Sequence, residues 1–374
     1  KLLGLKDGKW TPKRSFADDA VKSCLRATPP DHSSQRLYAS PKTGRLYIHE
    51  QRHPFKSFKQ LPEIDPETGK MKLLEMPFPA EDMAFDLDGL AYLRTDTEVV
   101  RYDPLNWREV PWDYGEERPN VTFDYGGTRV MSALALPGQR PVCFNMGGMW
   151  VSPKGHLAIT CTTQDIDAPR STTGDWKGQP RPQAKAWRPQ VYPGMAAWEQ
   201  IHVWDKHGKL IYEDALPGCW RLDGIAMDAQ DDLYIAANAT RMLDGKMYPN
   251  EMVGTLLKVT PCKSKVVSTG GAVLPLSKDA VPGRPPELGN AKIGKAWIEG
   301  APAHWFYGGV GYAGFNPGHS GGGCACWHSR STLDLYARSF APEVENYSVA
   351  VLDKNGNLIL RVGQYGNEDS AGPQ

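Results

Sequence analysis

Three absences bound this 374-residue chain before any motif is considered. It has no net charge: 43 Lys and Arg balance 43 Asp and Glu. A surface without a charge excess gives no electrostatic reason to expect nucleic acid or an anionic membrane as partner, and it resists association poorly, which fits membership of an assembly. No window approaches the roughly 18 consecutive apolar residues that a membrane-spanning helix needs. No Cys-x-x-Cys and no Cys-x-x-Cys-His occurs, so neither a thioredoxin-type dithiol nor an attachment site for c-type haem is expected on this chain. The first residues, Lys1 to Gly8, lack the apolar core and small-residue cleavage site of a signal peptide.

What is abundant is turn chemistry. With 38 Gly and 31 Pro, these two residues make up about 18% of the chain, above the roughly 12% average. Together with 12 Trp and 15 Tyr this is the composition of many short strands joined by tight turns.

The strands repeat a phrase. Residues 36–50, 82–95, 148–161, 223–237 and 331–343 each read as alternating apolar residues, a turn built on Asp, Gly, Lys or Pro, then alternation again. Period-two alternation turns one face of each strand to a core, and the turn residues supply hairpin dihedrals. Most copies are followed by a second hairpin in which an apolar residue and an Asp precede the turn: residues 63–76, 99–110, 201–213 and 347–362. Two hairpins make a four-stranded antiparallel blade. The expected fold is all-β, a six- or seven-bladed β-propeller with seven favoured, as a single domain over 1–374. Long insertions interrupt it near 162–199, 238–254 and 278–325, and residues 108–145 and 263–315 are where a further blade is expected.

Candidate chemistry falls in the interruptions. Residues 304–330 gather His304, His319, Cys324, Cys326 and His328 among many glycines. Thiolate and imidazole are ligands of Zn and Cu, so Cys324, Cys326 and His328 are candidate ligands; the alternative is a rigid turn with a disulfide. The 238–254 insert carries Asp244, Tyr248, Asn250 and Glu251 beside Met242, Met247 and Met252. A long segment with carboxylates near an apolar tip suits docking on a partner's active site or offering Glu251 to a metal; the alternative is a solvated loop. Propeller lactonases and related hydrolases hold a divalent ion in the central channel with Glu, Asn and Asp from inner strands. Asn145, Asp223 and Asn238 are the inner-strand candidates here, so a metal-dependent hydrolase or lactonase is a further expectation, and the divalent metal expected on the chain is Ca, Mg, Zn or Cu.

The C-terminal segment adds a resemblance. Cys324-x-Cys326, the phrase from Leu333-Asp334 through Arg338, Phe340 and Pro342-Glu343, and the closing run Asn355-Gly-Asn-Leu-Ile-Leu-Arg361-x-Gly363-x-Tyr365-Gly-Asn367 resemble the last blades of extracytoplasmic NHL-type propeller proteins common in planctomycetes. The resemblance covers residues 321–373 and reaches back weakly to Gln200. It implies a haem-free propeller subunit of a multi-subunit redox enzyme, partnered by multihaem cytochrome c-type chains. It also implies an extracytoplasmic location, periplasm-like or the anammoxosome lumen, after removal of a signal peptide.

Overall fold

The computed structural model describes residues 2–6, 9–14, 34–51, 58–80, 82–94, 98–112, 123–125, 128–130, 133–136, 148–161, 200–219, 222–270, 274–290, 293–311 and 330–363. Among them the only helical elements are two 3-10 turns, Lys278–Ala280 and Val344–Asn346; everything else regular is strand. No helix among the described residues is long and apolar enough to cross a membrane. The described strands fall into two compact units.

In the first unit, β1 (Leu2–Lys6) and β2 (Lys9–Arg14) form an antiparallel pair. β3 (Ser34–Ala39), β4 (Leu46–Gln51), β5 (Phe58–Ile64) and β6 (Met71–Ala80) make a four-stranded antiparallel meander. β7 (Asp82–Phe85), β8 (Ala91–Arg94), β9 (Glu98–Asp103) and β10 (Arg108–Glu109) make a second. β11 (Phe123–Tyr125) pairs with β12 (Thr128–Val130), and β13 (Leu134–Ala135) adds to β9. The core between the two meanders is Tyr47, Leu61, Met76, Phe78, Met83, Leu93, Val100 and Tyr102. Full burial of each large apolar side chain contributes about 1.5–3 kcal/mol.

The second unit opens with the meander β14 (Met149–Val151), β15 (Leu157–Cys161), β16 (Gln200–Trp204) and β17 (Leu210–Tyr212). The next sheet takes its four strands from distant parts of the chain: β18 (Leu222–Met227), β19 (Leu233–Ala237), β22 (Gly254–Val259) and β27 (Trp305–Val310). The two excursions between them form a sheet of their own. β20 (Thr240–Leu243) and β21 (Lys246–Tyr248) leave after β19; β23 (Ser264–Ser268), β24 (Leu274–Pro275), β25 (Leu288–Asn290) and β26 (Gly294–Gly300) leave after β22. They join in the order β21-β20-β25-β26-β23-β24. The last meander is β28 (Thr332–Leu333), β29 (Ser339–Glu343), β30 (Ser348–Leu352) and β31 (Leu358–Val362).

All nine hairpins read from the sequence are therefore present. The 263–315 stretch differs from expectation. Its first part pairs with the 240–248 hairpin, and its last part supplies the fourth strand of the β18 sheet. That sheet lacked an outer strand, and β27 fills the place; the strands left over bury their apolar residues Leu288, Ala296 and Ile298 in the shared core with Ile225, Ile235 and Leu257.

One turn device recurs. Asp205, Asp228, Asp334 and Asp353 each accept, on Oδ1, the backbone N–H two and four residues on, at 2.8–3.0 Å. Ser152 does the same through Oγ at 3.2 Å. The third residue after each adopts positive φ: Gly208, Asp231, Ala337, Gly356 and Gly155. An Asp that caps its own turn fixes the hairpin register locally.

Candidate functional site

The ends of β18 and β19 hold two of the three residues expected at a metal-binding channel. The register pairs Leu222 with Ala237, then slips before Ile225 with Ile235. Asp223 and Asn238 therefore stand at the same end of this strand pair. Asp223 is placed by its backbone in β18.

The neck around Asn238 is tightly built. Asn290 Nδ2 donates to the Asn238 carbonyl at 2.9 Å. Thr240 Oγ1 donates to Val253 O and Thr255 Oγ1 to Ala239 O, both at 2.8 Å, so the two sides of the insertion are tied where they leave the sheet. Gly254 is required by this closeness: a Cβ there would lie 2.6 Å from Ala237 O and 2.7 Å from Val310 O. Within this frame Asn238 Oδ1 is buried and accepts no hydrogen bond from the described residues. A buried amide oxygen without a donor is costly, and an oxygen-seeking cation is one way to satisfy it.

The 238–254 insert is a hairpin, not an open loop. Asp244 and Gly245, with φ of 50° and 76°, make its two-residue turn, where two successive positive φ values call for the Asp-Gly pair. Leu243 and Tyr248 are exposed at 44% and 51%. Arg241 Nη1 donates to Phe306 O at 2.8 Å, and Asn250 Nδ2 donates to Glu345 on the 3-10 turn after β29. Asn250 Oδ1 caps Met252 N at 2.8 Å, and Glu251 is exposed in that turn. Among the described residues no group of three His, Cys, Asp or Glu side chains is placed to hold a metal ion. Asn145, Cys324, Cys326 and His328 lie outside the described residues.

Two strings outside the sequence expectations have hydrolase spacing. His49-Glu50-Gln51-Arg52-His53 matches H-E-x-x-H. Its first three residues lie on strand β4, and the zinc-hydrolase arrangement requires a helix to stack the two histidines. Gly318-His-Ser-Gly-Gly322 matches G-x-S-x-G and lies outside the described residues.

A second polar group carries no motif. Gln200 and His202 project from the same face of β16 and are 1% and 0% exposed. His202 Nε2 lies 3.2 Å from Gln200 Oε1, and Asp214 N–H donates to His202 Nδ1 at 3.3 Å. The second contact makes Nδ1 the acceptor and puts the proton on Nε2. Burial pulls the His202 imidazole down to about 3, so the ring is neutral. Burial pushes the Asp214 carboxyl, 2% exposed, up to about 7. The visible signal was a pair of polar residues at i and i+2 inside an otherwise apolar strand.

No family model and no curated protein matches this chain. Among solved structures it is similar to a gluconolactonase from Xanthomonas campestris, with 12% identity and a TM-score of 0.38 over 90% of this chain and 77% of that one. It is similar to a calcium-binding regucalcin from Agrobacterium tumefaciens, with 16% identity and a TM-score of 0.36 over 88% and 74%. A virginiamycin B lyase from Staphylococcus aureus gives 9% identity and a TM-score of 0.36 over 90% and 76%.

Proposed function

We propose that the four-stranded sheets are blades of a six- or seven-bladed β-propeller, seven favoured, and that the chain is a divalent-metal-dependent hydrolase of the propeller lactonase type. The observation that carries this reading is the buried Asn238 Oδ1 that accepts no hydrogen bond from the described residues, at the strand end shared with Asp223. Asn238 and Asp223, with Asn145, are the residues that would hold the ion. Amide and carboxylate oxygens are hard donors and favour Ca or Mg over Zn or Cu. A bound ion would polarise the lactone carbonyl. The protein's own part is positional: the Asn290 amide and the close approach at Gly254 hold the Asn238 backbone in place. Hydrolysis of a panel of aldonolactones with and without added Ca tests it. Activity that needs the ion and falls in Asp223→Ala and Asn238→Ala supports the reading; no turnover of any lactone under either condition overturns it.

A second reading has its own observation. The hairpin exposes Leu243 and Tyr248, and Tyr347 is 62% exposed on the turn to which Asn250 is bonded through Glu345. A fixed apolar tip flanked by Asp244 and Glu251 suits docking. It fits a haem-free subunit of a hydrazine synthase-type complex, forming hydrazine from nitric oxide and ammonium, with multihaem cytochrome c-type partners in an extracytoplasmic compartment. Haem-bearing chains co-purifying from the native source support it, and their absence there rules it out.

A further inference from the structure

The segment between β17 and β18 ties three sheets together, and its one buried acid faces no cation among the described residues. Asp214 adopts φ 43°, a left-handed conformation unusual for a residue with a side chain. Its N–H goes to His202 Nδ1, and the next amide, Ala215 N, donates to Ile201 O at 2.7 Å, so the segment is fastened to β16. Ala215 O then accepts Cys262 N at 2.7 Å and Pro217 O accepts Val266 N at 2.8 Å. These two bonds fix the turn after β22 and the start of β23. Among the described residues neither oxygen of the Asp214 carboxyl makes a hydrogen bond of normal geometry, and the weaker pull of the Ile201 backbone and the Gln200 side chain toward the charged form is outweighed by burial. The groups that face it are Gln200 and the neutral His202 from β16, Glu213 from its own segment, and Cys262, flanked by Lys263, from the turn after β22. None of these is a cation in contact with the carboxyl.

We propose that Asp214 is a protonation-controlled latch that keeps the 213–219 segment, and with it the start of the excursion sheet, docked on β16 only while its carboxyl is neutral. A neutral acid is tolerated at this position; a carboxylate there is a buried charge beside Glu213 with no counter-ion among the described residues. The nearest relief is to turn residue 214 out toward water. That rotation also relaxes its left-handed backbone, and it breaks the bonds to His202 and Ile201. Ala215 O and Pro217 O then no longer hold Cys262 N and Val266 N. This inference is independent of the proposed lactonase reading, since none of the proposed metal ligands lies in the segment.

Hydrogen exchange of the full chain between pH 5.5 and 8.5 tests it. The wild-type amides of Cys262 and Val266 should lose protection by about tenfold or more across this range after correction for intrinsic exchange, while the amides of β30 hold theirs. Asp214→Asn should remove the difference. If Cys262 and Val266 follow β30 at every pH in the wild type, or if Asp214→Asn leaves their pH dependence intact, the latch is wrong. Should Asp214→Asn not fold, the wild-type comparison alone decides.

Discussion

Tyr234 donates its hydroxyl to Asp228 Oδ2 at 3.1 Å, six residues back across the turn. The same relationship recurs in the other unit, where the Tyr92 hydroxyl donates to Asp86 Oδ2 at 3.0 Å. In each case the tyrosine stands directly across from a cation on the third strand, Lys258 or Arg101, and edge-on to a tryptophan, Trp305 or Trp112. Burial pushes the Tyr234 hydroxyl up to about 12, so it remains a donor at any working pH. Lys258 Nζ sits 2.9 Å from Asp228 and 3.2 Å from Asp232. Burial works against its charge, yet the hydrogen bonds to Asp228 and Tyr234 outweigh it and hold the ammonium pKa above its ordinary value.

Removing Lys258 would leave Asp228 buried without its counter-ion. Lys258→Met should cost about 3 kcal/mol of stability, as expected when one partner of a buried pair is lost, and Tyr234→Phe about 1 kcal/mol. Urea denaturation measures both. Equal stability of Lys258→Met and wild type would remove the pair from the account.

Gly254 admits no side chain. Gly254→Ala places a methyl group within 2.7 Å of two backbone carbonyls, and neither can swing away as a flexible side chain would. A loss of about 2–3 kcal/mol is expected, with the largest drop in amide protection at β22 and at the 238–240 neck. A variant as stable as wild type would mean that these strand ends are not held as close as described.

The buried pair His202 and Asp214 sets a pH profile with two opposed parts. His202 is lowered from 6.5 to about 3, so its contribution is fully present above pH 6.5 and is lost as pH falls toward 3. Asp214 is raised from 3.8 to about 7, so its contribution is present below about pH 4 and is lost as pH rises through 7. Between these limits the two slopes partly cancel. Asp214→Asn removes the second slope and should gain about 2–4 kcal/mol relative to wild type at pH 8, compared with the same difference at pH 4. Thermal or urea unfolding at the two pH values reads this directly; a pH-independent difference would contradict it.

The hairpins were legible because an alternating strand and an Asp-capped turn are both local signals. Residues 201–213 show this: Asp205 closes its turn through His207 and Lys209, and the flanking apolar residues fall on β16 and β17 as the alternation requires. The excursion sheet was not legible. β20 and β25 are separated by more than 40 residues, and nothing in either names the other; their pairing follows from the apolar surface that β25 and β26 must bury. Asp223 and Asn238 were legible as polar residues at strand ends. Asp214 was not, because only the fold shows that it is buried and faces no cation among the described residues.

The central claim is that Asn238 Oδ1 serves a cation. Calorimetric titration of Ca into the full chain, with Asn238→Ala alongside, tests it most directly. The account predicts one ion per chain, with affinity at least about tenfold weaker in the variant, a loss of about 1.4 kcal/mol. No binding to the wild type, or equal binding to both proteins, would contradict it.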